Sequence, residues 1–290
     1  MLPKRFTLHR PGRIADAIEL LSKFGDDASP YAGGTELLIA MKARVLSYQH
    51  IVDLKGIDEL RGVSVLPDGT LSIGALSTHH ELAGNVVILQ HLPAYAALSA
   101  NVANIRVRAA GTLGGNLCFA EPHADPPALL CALGAELVLA GPAGERRMPL
   151  SEFILGELST ARADDEVLVR IEVPPLPPHS LAAYRAFGHL ERPAVGVAVV
   201  ARPLKRGYDW RIRVGSICGR PTALPEVEQA MHGLGAQEAL AALDEGAAQA
   251  AAGVEADDDL RGSAEYKRHL VGVLARRAAR VALGMKEIAE

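Results

Sequence analysis

The stretch that organises the chain covers residues 101–125 and reads NVANIRVRAAGTLGGNLCFAEPHAD. Its centre is a glycine-rich loop at residues 111–116, GTLGGN, and it ends on Glu-Pro-His-Ala-Asp. Adjacent glycines allow the backbone to approach a ligand where a Cβ atom would collide with it. Successive N–H groups in such a loop can form a concave anion site. The loop is therefore predicted to hold a phosphate-bearing ligand.

A second glycine pair lies about eighty residues upstream, in AGGTE at residues 32–36, and leads into the apolar run LLIAMK at residues 37–42. A glycine turn that feeds a helix can bind an anion. Many such junctions carry glycine for steric reasons alone, and that alternative stays open for a single loop. Neither loop is a G-x-G-x-x-G sequence or a G-x-x-x-x-G-K-[ST] sequence, which argues against a Rossmann fingerprint and a P-loop.

Length and composition are those of a globular protein with room for two domains. The chain has 290 residues, 49% of them hydrophobic, and a formal net charge of −4. No sustained basic tract is present, which argues against a nucleic-acid partner. No apolar run approaches the length of a membrane span, and the N-terminal stretch has no uninterrupted apolar core of a signal peptide. A cytoplasmic location is the default expectation.

The three cysteines, Cys118, Cys131 and Cys218, form no CxxC pair. A disulfide framework, a zinc site or an iron–sulfur cluster held by this chain alone is not expected, and the cysteines are predicted to be small buried apolar residues. His79 and His80 are adjacent and would face different ways on a helix. They are predicted to be solvated or capping residues after an N-cap at Thr78 or Ser77, and no metal site is expected.

Hydrophobic periodicity and turn residues predict the elements of the first part of the chain. Helices are predicted at residues 14–24, 37–42 and 92–103. Strands are predicted at residues 50–54, 70–73 and 166–173, with a hairpin formed by residues 136–139 and 147–150.

The clearest break is PPLPP at residues 174–178, because four prolines in five residues cannot sit in a helix or a central strand. We place a domain boundary here. After it, strands are predicted at residues 182–187, 194–201 and 211–217. Helices are predicted at residues 225–252, with a break near Gly233, and at residues 264–283.

Several phrases, in order, cover nearly the whole chain: AGGTELLIAMK (32–42), IGALSTH (73–79), IRVRAAGTLGGNLCFAEPHADPPALLCALGA (105–135), EVLVRIEVP (166–174) and SAEYKRHLVGVLARRA (263–278). Together with Phe6 and Tyr184-Arg185 they resemble the FAD-binding medium subunit of the molybdenum hydroxylases. This family includes xanthine dehydrogenase, aldehyde oxidoreductase and carbon monoxide dehydrogenase. The cysteine-bearing insertion that some members carry is missing.

The resemblance implies an α+β fold with a two-lobed FAD-binding domain of the vanillyl-alcohol-oxidase (PCMH) type. This domain would span residues 1–177, with lobes at about 1–56 and 57–177. Residues 178–290 would form a small C-terminal domain of the CO-dehydrogenase-flavoprotein type, with a three-stranded antiparallel sheet and helices.

The resemblance also implies the residues that contact FAD. Residues 32–36 would wrap the diphosphate from one side, and residues of the second loop would meet it or the ribityl chain from the other. Asp125 would bond the ribose or adenine end, although it could instead be a plain N-cap of the next helix. The implied set is Ala32, Gly33, Gly34, Thr35, Glu36, Ala103, Gly111, Thr112, Gly114, Gly115, Asn116, Asp125, Leu168 and Arg185, with no catalytic acid or base and no metal ligand.

The implied function is electron transfer within a heteromeric enzyme, likewise carried by the resemblance. A large partner would hold a molybdopterin cytosine dinucleotide or related molybdenum cofactor, and a small partner two [2Fe–2S] clusters. This chain would pass electrons to NAD⁺, oxygen or another acceptor, in a dimer of heterotrimers. Two alternatives stay open: a flavin-free structural subunit, and a self-contained FAD-dependent reductase. The reductase would draw polar groups from Tyr184, Arg185, His189 and Arg192.

Overall fold

The computed structural model describes residues 3–188 and 192–285. The strands are β1 Thr7–His9, β2 Ala28–Tyr31, β3 His50–Asp53, β4 Val63–Val65, β5 Leu71–Gly74, β6 Glu136–Gly141, β7 Gly144–Pro149, β8 Ile154–Gly156, β9 Ser159–Thr160, β10 Val167–Val173, β11 Leu181–Phe187, β12 Val195–Pro203, β13 Tyr208–Gly215 and β14 Thr222–Ala223. The helices are α1 Ile14–Phe24, α2 Leu37–Ala43, α3 His79–Gly84, α4 Val86–His91, α5 Pro93–Asn101, α6 Ile105–Ala110, α7 Leu113–Phe119, α8 Pro126–Leu133, α9 Leu150–Phe153, α10 Pro225–Met231, α11 Ala236–Ala252 and α12 Ala264–Ala282.

The first layer is a parallel sheet in the order β1-β3-β2. Helix α1 packs on it because the apolar residues recur at helical spacing, and Ala17 and Leu21 are fully buried. The predicted bounds of this helix are confirmed. Strand β2 ends directly before the first glycine loop, so the sheet fixes where that loop begins.

The second layer is an antiparallel sheet in the order β4-β5-β10-β6-β7. Strand β10 lies at its centre and pairs with both β5 and β6. Its two faces pack into different cores: Leu168 and Ile171 belong to one, and Val167 and Val169 to the other. Helix α8 contacts β12 and β13 of the C-terminal sheet, and all eight of its residues are buried. It belongs to the same core as residues of β5, β6, β10 and β12.

The C-terminal sheet is antiparallel in the order β11-β12-β13-β14. The three predicted strands are present, and the two-residue strand β14 is added at the edge beside β13. Helices α11 and α12 pack against each other, and α12 covers β11 and β12. The predicted break near Gly233 is confirmed, since α10 ends at Met231 and α11 begins at Ala236.

Residues 174–180 carry no helix or strand and connect β10 to β11. Cys131 is buried, whereas Cys118 and Cys218 are partly buried, and all three thiols are free. Among the described residues, no helix is both long and apolar enough to cross a membrane.

Candidate functional site

A cavity of about 600 Å³ lies where the two glycine loops meet. Its size falls within the range of about 300–1,000 Å³ that is usual for small-molecule and cofactor sites. The first loop follows β2 and leads into α2. The second follows α6, and its residues from Leu113 onward, including Gly114 and Gly115, form the first turn of α7. Chain segments beside Asp125, Leu168 and Arg192 complete the wall. The cavity is thus built from parts of the chain that are far apart in sequence.

The first loop crosses directly over the second. A Cβ atom added at Gly33 would lie 2.0 Å from the carbonyl oxygen of Ala110 and 2.9 Å from the Cα of Gly111. Both contacts are with backbone, which cannot rotate away as a side chain can. Gly33 is therefore required by the close approach of two backbones, and the steric interpretation of this glycine is correct at this position.

The first loop also has N–H groups available for a ligand. Four consecutive backbone amides have no hydrogen-bond acceptor among the described residues: those of Gly33, Gly34, Thr35 and Glu36. From outside, the Lys55 ammonium approaches the carbonyl oxygen of Ala32 to 3.4 Å and lies 3.6 Å above the ring of Tyr31. These contacts hold the outer side of the loop while its amides stay free.

The second loop differs from the amide nest predicted for it. The amide of Gly114 donates to the carbonyl of Ala75, and that of Gly115 donates to the Thr112 hydroxyl. The amides of Gly111, Leu113 and Asn116 are also bonded within the chain. The prediction of an anion nest in this loop is wrong, because helix formation and contacts with the carbonyls of Ala75 and Ser77 use these donors. The groups it has left for a ligand are the backbone amide and hydroxyl of Thr112 and the side-chain amide of Asn116.

His79 lies on the cavity wall and is buried, so the prediction of a solvated or capping histidine is wrong for it. His80 is exposed. Burial, together with the nearby charge of Arg108, lowers the pKa of His79 to about 4, and its ring is neutral at physiological pH. The predicted N-cap is confirmed: Thr78 forms a reciprocal capping box with Glu81. This box, together with a β-bridge between Thr78 and Thr112, fixes His79 beside Gly111.

Asp125 occupies the N-cap position of α8, but its side chain does not cap the helix. Instead, its Oδ1 accepts a hydrogen bond of 2.7 Å from the Tyr184 hydroxyl. Burial raises the pKa of Asp125 to about 6, with the Tyr184 bond opposing the shift and Glu121 adding to it. The alternative of a plain N-cap is therefore not what the geometry shows, and Asp125 is one of the residues that line the cavity.

Arg192 connects three parts of the cavity wall. Its guanidinium donates to both carboxylate oxygens of Glu36, at 2.9 and 2.7 Å, and to Oε1 of Glu121 at 2.9 Å. Glu121 also contacts His123, which lies 3.5 Å from Asp259. Arg192 thus joins the first glycine loop to the segment before α8.

Every predicted site residue lines this cavity except Arg185, which donates to the carbonyl of Tyr184 on β11 and is not among the described lining residues. His189 lies outside the described residues. Charged and polar lining groups that were absent from the predicted set are Ser29, Tyr48, His79, Glu121, His123, Ser159, Thr160, Arg162, Asp164, Glu166 and Arg192. His79, Glu121, His123 and Glu166 lie within the phrases quoted above but were not assigned to the site, and Arg192 was considered only for the reductase alternative. No motif marks the others, because they enter the wall from segments that reach the cavity only in the folded chain.

Known proteins agree with this architecture. Residues 4–176 match the family described as "FAD binding domain in molybdopterin dehydrogenase", and residues 189–282 match "CO dehydrogenase flavoprotein C-terminal domain". The chain is 35% identical to the carbon monoxide dehydrogenase medium chain of Afipia carboxidovorans, covering 96% of each. It is 29% identical to the xanthine dehydrogenase FAD-binding subunit of Escherichia coli O157:H7, covering 93% of each.

A solved carbon monoxide dehydrogenase structure from Hydrogenophaga pseudoflava superimposes with a TM-score of 0.91 at 33% identity. The match covers 98% of this chain and 99% of that one. The fold and the cavity thus define a FAD-binding oxidoreductase subunit. The chain belongs to the molybdenum hydroxylase family, as the sequence resemblance implied.

The residues present fit FAD. The free amides of the first loop supply donors for a diphosphate, and the backbone crossing at Gly33 leaves no side chain in their way. Arg192 offsets the negative charge of Glu36 and Glu121 beside this position. The cavity is also lined by apolar groups such as Ala103, Val107 and Leu168, which a flavin ring requires.

Proposed function

We propose that this chain is the electron-transfer subunit of a heteromeric molybdenum hydroxylase. Electrons from [2Fe–2S] clusters on a small partner subunit would reach FAD held here and leave to NAD⁺, oxygen or another acceptor. A large partner subunit would hold the molybdenum cofactor and oxidise the substrate. The assembly would be a dimer of heterotrimers, located in the cytoplasm.

The observation that carries this proposal is the row of amides at Gly33, Gly34, Thr35 and Glu36 that have no acceptor among the described residues, on a loop that lines a cavity of cofactor size. A diphosphate needs several donors and little bulk around it. The first loop would bind the diphosphate, Thr112 and Asn116 would bind it or the ribityl chain, and Asp125 would bind the ribose or adenine end. Arg185 would contact FAD after a movement of its side chain, because in this structure it does not line the cavity.

Bound FAD supplies the ability to exchange electrons singly with one partner and in pairs with another. The chain's own residues need only hold the group, orient it and limit its contact with water. The absence of an acid–base pair in the predicted set is consistent with this role. The neutral His79 ring adds no charge to the cavity wall.

Substrate chemistry is assigned to the partner. The relatives described above are named for carbon monoxide and for xanthine, two chemically different substrates, yet they match this chain over nearly its whole length. We also propose that the FAD domain ends at residue 177, in the segment without helix or strand, and that the C-terminal domain covers residues 178–290.

The test is to purify the full chain, with an affinity tag, from its native host. We expect bound flavin and two co-purifying subunits, with molybdenum and about four irons per flavin, as two [2Fe–2S] clusters require. Flavin in the complex should be reduced by the substrate of the large subunit and reoxidised by the acceptor.

A chain that retains flavin but purifies without iron or molybdenum would overturn the proposal. Turnover of NAD(P)H with a small acceptor by the isolated chain would instead support the self-contained reductase. Absence of flavin both from the purified complex and from the isolated chain would support the structural subunit.

A further inference from the structure

We propose that Tyr184 is a positioning residue for the cofactor: through its hydroxyl it fixes the carboxylate of Asp125 that faces the adenosine half of FAD. The inference rests on the proposed function, because the assignment of the adenosine end of FAD to Asp125 comes from that proposal. It extends that function to a residue of the C-terminal sheet.

The contact between these residues is short and selective. The Tyr184 hydroxyl donates to Oδ1 of Asp125 at 2.7 Å, a normal distance for a well-formed O–H···O hydrogen bond. Oδ2 has no partner among the described residues, and Asp125 lines the cavity. One carboxylate oxygen is therefore held by the protein while the other is left for a ligand hydroxyl.

Tyr184 is itself held firmly in place. It lies in β11, opposite Ala198 of β12. A Cβ atom added at Gly196 would lie 2.0 Å from the Tyr184 oxygen, so the glycine provides the space for the hydroxyl. On the other side, α8 begins at Pro126 and packs against β12 and β13. Sheet and helix thus set both ends of the hydrogen bond.

The electrostatics require such a donor. Burial and the neighbouring Glu121 both favour the protonated form of Asp125, and the Tyr184 hydrogen bond opposes them. Burial, with the Asp125 charge, raises the pKa of Tyr184 well above its usual value, so the phenol remains a donor. Without it, Asp125 would be protonated over a wider pH range and would rotate more freely about its side-chain bonds.

The test compares Tyr184→Phe with the unchanged chain, both freed of flavin and titrated with FAD, ADP-ribose and FMN at pH 8. We expect Tyr184→Phe to weaken FAD and ADP-ribose by about tenfold, the lower end of what outer partners of a binding site contribute. FMN lacks the adenosine half, so its affinity should stay unchanged. Equal losses for FMN and ADP-ribose would show a merely structural role and overturn the inference.

A double-mutant cycle supplies the second measurement. In an Asp125→Asn background, Tyr184→Phe should change FAD affinity by less than about twofold, because the group through which it acts is gone. A full tenfold loss in that background would contradict the inference. In a pH series, FAD affinity of the unchanged chain should fall as the pH drops through about 6, and the Tyr184→Phe midpoint should lie higher. A midpoint that does not move would also count against it.

The two levels of the proposal fail separately. If the unchanged chain binds none of the three probes, the proposed function is wrong. If it binds FAD and Tyr184→Phe binds it equally well, only the positioning role of Tyr184 is wrong.

Discussion

Gly33→Ala is expected to weaken FAD binding strongly while leaving most of the fold intact. The new Cβ would start 2.0 Å from the carbonyl oxygen of Ala110, and Cβ contacts under 3.0 Å are essentially never seen. The two loops must therefore separate by about 1 Å or more. Ala110 and Gly111 contribute only backbone here, so neither can relieve the contact by changing a rotamer.

The magnitude follows from what the separation breaks. Overpacking of this kind costs about 1–3 kcal/mol of stability. Loss of one amide bond to a charged phosphate costs about 1.5–3 kcal/mol of binding, which corresponds to a weakening of about 10- to 150-fold. The loss of affinity comes in addition to the loss of folding stability, because the displaced loop carries the free amides.

The assay is a fluorescence titration of the flavin-free chain with FAD, together with thermal unfolding without ligand. Gly84→Ala is the matched control: a Cβ at Gly84, the last residue of α3, meets nothing within 4 Å. This control should bind FAD normally and lose no stability. Gly33→Ala with wild-type FAD affinity would refute the reasoning, since it would mean that the loops can separate without losing the ligand.

Two further predictions concern ion pairs. Arg192→Gln leaves Glu36 and Glu121 without their shared cation, so FAD should dissociate about tenfold faster, and added salt should partly restore binding by screening the two carboxylates. Adding Glu36→Gln to the same chain should restore slow dissociation of FAD. An unchanged release rate of FAD from Arg192→Gln in stopped-flow measurements would disprove this role of Arg192. Asp259→Asn leaves the buried Lys267 ammonium without its 2.9 Å ion-pair partner. Because Lys267 keeps its 2.7 Å hydrogen bond to the carbonyl of Asp257, the cost in denaturant unfolding should be about 3 kcal/mol, the low end for a broken buried pair. Although burial opposes the shift, Lys267 and Arg261 lower the pKa of Asp259 to about 2, so its contribution is present above about pH 4 and is lost as the pH falls toward 2. Between about pH 4 and pH 2, Asp259→Asn should therefore lose less of its free energy of unfolding than the unchanged chain. Acid unfolding curves that run parallel for the two proteins would contradict this account.

The sequence identified the two glycine loops but not the work that each one does. Gly33-Gly34 and Gly114-Gly115 look equivalent in the sequence, yet the free amides belong to the first loop and those of the second are used internally. Which amides are free depends on acceptors such as the Ala75 carbonyl, which is close in space and distant in sequence. No local pattern reports such a contact.

The hydrogen-bond and ion-pair partners of Asp125 and Arg192 could not be predicted from the sequence either. Asp125 follows a turn and precedes a helix, so an N-cap was a reasonable interpretation from local sequence. Tyr184, 59 residues later, takes its carboxylate instead. Arg192 joins the wall through Glu36, which is 156 residues away. Both pairings exist only in the folded chain, where residues of the C-terminal part come to lie beside the cavity wall.

By itself, the sequence determined the elements whose signals are local. The spacing of apolar residues defined α1, alternation defined β10, and the prolines at residues 174–178 ended regular structure before β11. Glycine content and family resemblance indicated a diphosphate-bearing cofactor. Tertiary structure alone decided that Gly33 carries the backbone crossing, that His79 is buried and neutral, and that Tyr184 holds Asp125. The physical reason is that periodicity and turn preference act within a few residues, whereas close approach, burial and charge depend on neighbours that only the folded chain brings together.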